Sequence, residues 1–234
     1  MENKTENTYL NSLLYPEENP FIEAIIQFEQ VIMLYNCAIK EVKTKLEILN
    51  DDLSIRYKRN PIEFIKTRVK TPNSIAKKLV MKNLEPTVLN IGDNIDDVAG
   101  VRVICSFIDD IYTLADMLIN QDDITLIEMK DYIKQPKDNG YRSLHLIIAV
   151  PIFLSDEKLY TKVEVQIRTI AMDFWASLDH KLKYKKDILD AETIGEELRQ
   201  CAEVIASTDV AMQAIKNKIY PNEDLTKRPD MDLL

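Results

Sequence analysis

The segment Lys162-Val-Glu-Val-Gln-Ile-Arg168 alternates apolar and polar residues. As a β-strand it turns Val163, Val165 and Ile167 to one face and Glu164, Gln166 and Arg168 to the other, because successive side chains point to opposite sides of a sheet. A carboxylate, an amide and a guanidinium then share one working surface. The same alternation over Tyr141–Val150 sends Leu144, Leu146, Ile148 and Val150 to the core and Tyr141, Ser143 and His145 the opposite way. Two strands with apolar backs and polar fronts make a reactive face. A charged strand at a solvated sheet edge is the competing explanation.

Three further stretches supply groups that suit phosphate and metal chemistry. Lys134-Gln-Pro-Lys-Asp-Asn-Gly140 is turn-forming and brings two lysines to the start of the strand that carries Tyr141 and His145, where they can clasp a phosphate. Asp96-Asp-Val-Ala-Gly-Val-Arg102 sets two carboxylates just ahead of a strand, and Asp97 together with Glu164 suits a magnesium ion, although paired acids in turns are also common without one. Arg68-Val-Lys70 precedes a helix whose first turns carry Ser74 and Lys78, spaced i and i+4 on one face. Free amides at a helix N-terminus, a hydroxyl and lysines form a cradle for a triphosphate. An arginine beside them can stack on a base.

Charge is distributed to match. The 234 residues carry a net charge of −9, which excludes a uniformly basic surface that coats nucleic acid. Between Arg56 and Lys82, however, nine basic residues stand against the single acid Glu63, so this segment is +8 and the remainder −17. Such an island suits a polyanion; a solvated surface face is the bland alternative. With four glycines in the chain there is neither a G-x-G-x-x-G dinucleotide loop nor a phosphate loop ending in G-K-[ST], so phosphate contacts must come from side chains. Two histidines, His145 and His180, are too few for a His-rich metal hydrolase. Cys37, Cys105 and Cys201 are odd in number and far apart, and read as reduced thiols of a cytoplasmic protein. The longest apolar stretch, Leu146–Leu154, is interrupted by Pro151 and is short of the roughly 20 residues of a membrane span, so no membrane partner is expected.

These side chains need a scaffold. Phe21, Ile25, Phe28, Ile32, Tyr35, Ile39, Val42, Leu46 and Leu49 recur in steps of four and three and predict a long amphipathic helix. A second stripe, Ile194, Leu198, Cys201, Ile205, Met212, Ile215 and Ile219, can pack with the first, on its own domain or between subunits. Thr71-Pro-Asn-Ser74 predicts a helix start near Asn73. Between the stripes lie strands at Val101–Phe107, Ile124–Met129, Tyr141–Val150 and Thr161–Arg168, with helices over about Asp109–Asn120 and Ile170–Lys185. The fold class is α+β, a mixed sheet with flanking N- and C-terminal helices. Residues 1–20 read as a flexible polar N-terminus, 21–220 as one domain with its core at about 55–185 and flanking helices at 21–50 and 190–219, and 221–234 as a tail.

Five stretches, taken together, resemble the synthetase domain of RelA/SpoT-type alarmone enzymes in its small, single-domain form. They are Arg68-Val-Lys-Thr-Pro-Asn-Ser-Ile-Ala-Lys-Lys78, Asp96-Asp-Val-Ala-Gly-Val-Arg-Val103, Tyr132 to His145 with its Asn-Gly-Tyr-Arg-Ser-Leu-His run, Val163-Glu-Val-Gln-Ile-Arg168 and Ala171-Met-Asp-Phe-Trp-Ala-Ser-Leu-Asp-His180. The resemblance implies a nucleotidyltransferase-like fold that moves the β,γ-pyrophosphate of ATP to the 3′-hydroxyl of GTP or GDP, with GMP a further candidate, and releases AMP in the stringent response. By the same resemblance Arg68 and Arg102 sandwich the adenine, and Lys70, Ser74 and Lys78 hold ATP phosphates. Asp97 and Glu164 bind Mg2+, and Glu164 activates the acceptor hydroxyl. Tyr141 stacks on the guanine, with Lys137, Arg142, His145 and Gln166 around the acceptor. Asp173 stands where some members carry asparagine, and its role is open. The resemblance further implies a homotetramer and synthesis without hydrolysis. The rival reading is a catalytically silent guanine-nucleotide or RNA-binding module, in which the basic island holds single-stranded RNA.

Overall fold

The computed structural model describes residues 20–183 and 191–221. The expected polar N-terminus and C-terminal tail lie almost wholly outside these residues, as does the end of the helix expected to reach Lys185.

A long helix, α1 (Pro20–Tyr57), leads into β1 (Ile62–Val69), followed by α2 (Pro72–Met81), α3 (Val88–Asn94), β2 (Ala99–Cys105), α4 (Ile108–Ile119), β3 (Thr125–Asp131), β4 (Leu144–Phe153), β5 (Lys158–Thr169), α5 (Ile170–Lys183) and α6 (Ala191–Ile219). The strands form one mixed sheet in the order β1-β2-β5-β4-β3, and only the β2–β5 pair is parallel.

The alternation seen in the sequence decides which side of this sheet is dry. Val163, Val165 and Ile167 of β5 lie beside Ile148, Leu146 and Leu144 of β4, and all six are buried. Val101 and Val103 of β2 continue the layer. Against it lies α1, through Tyr35, Ala38, Ile39, Val42 and Leu46, with Phe28, Ile32 and Leu49 at its margin. By length and composition α1 would also pass for a membrane span, yet this stripe is committed to the sheet. Each buried aliphatic side chain contributes about 1.5–3 kcal/mol relative to exposure, so releasing the stripe would be costly. Ile111, Leu114 and Leu118 of α4 complete the core.

Four elements differ from expectation. β1 and α3 were not anticipated: β1 is an edge strand exposed over most of its length, so it shows no apolar alternation, and α3 is a seven-residue helix, too short for a periodic signal. Tyr141–Ser143 precedes β4 instead of opening it. The C-terminal stripe is the fourth. α6 packs on α5 and α4, turning Ala202, Asp209 and Lys216 inward while Cys201, Met212, Ile215 and Ile219 are exposed.

Candidate active site

The polar face of the sheet is assembled by register. β5 lies between β2 and β4, so Gln166 has Arg102 on one side and His145 on the other, while Glu164 has Gly100 and Ile147. On the far side of β2, Arg68 of β1 pairs with Gly100. Without a side chain at Gly100, a cavity of about 260 Å3 opens among Lys66, Arg68, Arg102, Glu164 and Gln166. Arg68 and Arg102 also border a second cavity of about 650 Å3, closed by Tyr141, Arg168, Asp179 and His180.

Glu164 is the centre of one hydrogen-bonded chain. Its Oε1 lies 3.2 Å from His145 Nδ1, and its Oε2 accepts from Gln166 Nε2 at 2.8 Å. The other ring nitrogen of His145 is 2.8 Å from the Tyr141 hydroxyl. Burial would raise the Glu164 carboxyl and Asp97's charge adds to that, but the His145 and Gln166 contacts prevail and hold it below the usual glutamate range. It is therefore a carboxylate at neutral pH, able to take a proton.

Asp97, just ahead of β2, is gripped by two lysines, Lys70 Nζ at 2.7 Å on one oxygen and Lys78 Nζ at 2.8 Å on the other. Burial works against the charge, and the lysines outweigh it, so Asp97 is also held below its ordinary value. Neighbouring Asp96 is tied to β5 by Lys162 at 2.8 Å. Lys78 reaches Asp97 because α2 starts where the sequence says: Thr71 is its N-cap, Pro72 its first residue, and the Thr71 hydroxyl receives the Ser74 amide at 3.4 Å. The Ser74 hydroxyl is 2.9 Å from that of Thr71.

Tyr141 is held from below and from the side. Arg168, 3% exposed, donates to the Tyr141 hydroxyl, to Gln166 Oε1 at 2.9 Å and to Asp173 Oδ1 at 3.2 Å, with its guanidinium 4.9 Å from the Tyr141 ring centre. Lys137 Nζ stands 4.6 Å from the Tyr132 ring and 5.1 Å from the Tyr141 ring. Asp173 also receives Arg102 Nη1 at 3.3 Å, bridging the two arginines. Burial, and then the Arg168 charge, lower the Arg102 pKa, and among the described residues its buried Nε finds no acceptor.

The structure thus brings together Arg68, Arg102, Glu164, Gln166, His145 and Tyr141, with Lys137 beside them, and places Asp97, Lys70, Ser74 and Lys78 at the start of β2 and α2. Arg142 stands apart, donating to the carbonyls of Gly140 and Ala202, each at 3.2 Å. Arg168, Asp173 and Tyr132 were not assigned roles from the residues alone. The parity that singled out Glu164 also points to Arg168, whereas nothing local marks Asp173 as the acceptor for two arginines.

Two carboxylates that both remain ionised, with Asp97's charge felt at Glu164, are an oxygen donor set that fits Mg2+, which usually takes one or two carboxylates and completes its shell with substrate phosphates and water. Among the described residues no group of three or more His, Cys, Asp or Glu could hold a metal unaided.

Comparison with known proteins agrees with this geometry. Residues 67–188 match the family described as a region found in RelA and SpoT proteins. The chain is 44% identical over 188 residues to the GTP pyrophosphokinase YwaC of Bacillus subtilis, spanning 80% of this chain and 90% of that protein. It superposes on small alarmone synthetase 1 of Bacillus subtilis bound to its product pppGpp with a TM-score of 0.75 at 34% identity, covering 82% of this chain and 98% of that one. For small alarmone synthetase 2 of the same organism the TM-score is 0.73 at 42% identity, with coverage of 82% and 98%.

Proposed function

This chain belongs to the RelA/SpoT family of GTP pyrophosphokinases, and from that premise we propose that its polar sheet face transfers the β,γ-pyrophosphate of ATP to the 3′-hydroxyl of a guanine nucleotide. The enzyme is a (p)ppGpp synthetase. The observation that carries the residue assignment is Glu164, held ionised beside Asp97 and wired to His145, Gln166 and Tyr141.

Arg68 and Arg102 stack on the adenine between them. Lys70, Ser74 and Lys78 take the ATP phosphates, the lysines exchanging Asp97 for phosphate oxygens. Tyr141 stacks on the acceptor base, Lys137 and His145 face the acceptor, and Gln166 and Arg168 keep Glu164 and Tyr141 in place. Glu164 accepts the proton of the 3′-hydroxyl as its oxygen bonds to the β-phosphorus; the bond between that phosphorus and the α,β-bridging oxygen breaks, and AMP leaves. Phosphoryl-type transfer needs little covalent chemistry from protein, only positioning and cations where charge develops. Mg2+ held by Asp97 and Glu164 would supply further charge neutralisation at the phosphates.

Synthesis without alarmone breakdown, a cytoplasmic location and a homotetramer complete the reading. Exposed apolar side chains on α1 (Ile25, Ile26, Met33) and on α6 (Val210, Met212, Ile215, Ile219) support subunit assembly. Single-stranded RNA is the alternative partner for the basic island, but much of that island is engaged internally: Arg56 with Asp52, Arg59 with Asp110, Lys70 and Lys78 with Asp97, and Lys82 with the Asn94 carbonyl.

The test is incubation with labelled ATP, magnesium and each of GMP, GDP and GTP, followed by nucleotide separation. A new guanosine species that appears together with AMP supports the reading and ranks the acceptors. No product from folded protein would favour the silent nucleotide- or RNA-binding module.

A further inference from the structure

The loop that carries Lys137 and Tyr141 is folded on itself and then laid on α6. The Gly140 amide donates to the Lys137 carbonyl at 2.7 Å, and the Lys137 amide donates to the Tyr141 carbonyl at 3.2 Å, so these residues move as one turn. Gly140 has φ +84°, where glycine is favoured. A Cβ there would lie 2.5 Å from the Ala202 Cβ and 3.6 Å from Arg199 backbone atoms of α6, so loop and helix touch with no room between them. The crevice among Gly140, Arg142, Trp175 and Ala202 amounts to about 10 Å3, barely the space of one water.

Arg142 fastens this contact. One of its nitrogens, Nη1, donates to Gly140 O on the loop and to Ala202 O on the helix, both at 3.2 Å. From the other side Trp175 Nε1 donates to Leu198 O at 2.9 Å, fixing the same turn of α6 to α5. α6 in turn is anchored to α4, where Asp109 receives Lys216 Nζ at 2.6 Å and Gln213 Nε2 at 2.9 Å.

We propose that the Arg199–Ala202 turn of α6 is a positioning surface for the acceptor nucleotide, and that Arg142 acts as a positioning residue that clamps the Tyr141 loop to it, not as a ligand of acceptor phosphate. This rests on the assignment of Tyr141 and Lys137 to the acceptor. A shift of α6 transmits directly to the Tyr141 ring through Gly140, while the donor side, built on α2, β1 and β2, shares no hydrogen bond with Arg142 among the described residues and meets Tyr141 only by way of Arg102, Asp173 and Arg168.

Two substitutions approach the contact from opposite sides: Ala202→Leu on the helix, which crowds Gly140, and Arg142→Ala on the loop, which removes both donor bonds. With the full chain, both are expected to raise the acceptor KM about tenfold, by the same factor for GMP, GDP and GTP, and to leave the ATP KM unchanged. Hydrogen exchange of the amides at residues 139–143 should quicken in both. If the Arg142→Ala loss grows with the number of acceptor phosphates, Arg142 is a phosphate ligand and the proposal falls. An unchanged acceptor KM in Ala202→Leu overturns it equally, as does unchanged exchange in the loop. Absence of AMP from the unaltered protein with every acceptor would instead defeat the assignment of the site, and the exchange comparison would still report whether α6 holds the loop.

Discussion

Glu164 shows how a half-buried carboxylate is kept reactive. Burial pushes its pKa up, and a hydrogen-bonded histidine with an amide on the second oxygen reverses the balance. Glu164→Gln keeps size and removes the base, so AMP release should fall by about 10^2–10^4-fold while the thermal melt stays close to that of the parent; retained turnover would sink the role. The same residue predicts a pH signature. Its pKa in the folded chain lies below the ordinary 4.5, so its ionisation favours the native state above that value and the benefit is lost as pH falls through the lower folded value. In urea titrations the stability difference between the parent and Glu164→Gln should therefore change on acidification below about pH 4.5 and be flat near neutrality. Arg168 makes a different prediction. Arg168→Lys keeps the charge but not the fork that serves Tyr141, Gln166, Ser143 and Asp173 together. Acceptor KM should rise with little change for ATP, measured in the same assay.

At the level of elements, helix starts do much of the positioning. α2 is capped by Thr71, and its first two turns carry Ser74 and Lys78. Thr71→Ala should cost about 1 kcal/mol, read by denaturant unfolding, and weaken ATP binding because Lys78, one of the two lysines on Asp97, hangs on this helix. α4 has no side-chain cap of its own at Phe107; the Asp109 amide is satisfied from α6 by Gln213 Oε1 at 3.1 Å, a cap supplied by tertiary structure. Asp110, fully buried, receives two bonds from Arg59 at 2.9 and 2.5 Å. Burial pushes its carboxyl up even so, which marks the pair as costly to bury. Asp110→Ala should still destabilise by about 3 kcal/mol, because it takes the carboxylate away from a guanidinium that stays largely buried; an unaltered denaturation midpoint would refute that.

For the whole molecule, the division of the sheet into a dry face under α1 and α4 and a wet face bearing the carboxylates is what makes a site possible. The dry layer holds β2, β5 and β4 at fixed register, and that register alone puts Arg102, Gln166 and His145 in a row. The outer faces of α1 and α6 remain apolar at Ile25, Ile26, Met33, Met212 and Ile215. Light scattering is expected to report a tetramer, and a monomer would remove that assembly from the reading.

The amino-acid sequence by itself determined what depends on local pattern. Alternation over Lys162–Arg168 set the two faces of β5, the three-four spacing of Tyr35, Ile39, Val42 and Leu46 set the buried side of α1, and Thr71-Pro72 set the start of α2. The motifs that carry Glu164, Tyr141, Asp97 and Lys78 were legible for the same reason: they are contiguous. Tertiary structure alone decided what joins distant segments. Lys70 and Lys78 meet Asp97 across 27 and 19 residues, Arg142 meets Ala202 across 60, and Arg102 meets Asp173 across 71. The outward side of α6 and the edge strand β1 were hidden for a related cause. α6 buries Ala202, Asp209 and Lys216 through specific polar contacts in place of an apolar stripe, and β1, exposed over most of its length, has no dry face to impose a period. Local periodicity records which side of an element faces apolar surroundings; it carries no record of which polar groups the fold brings together.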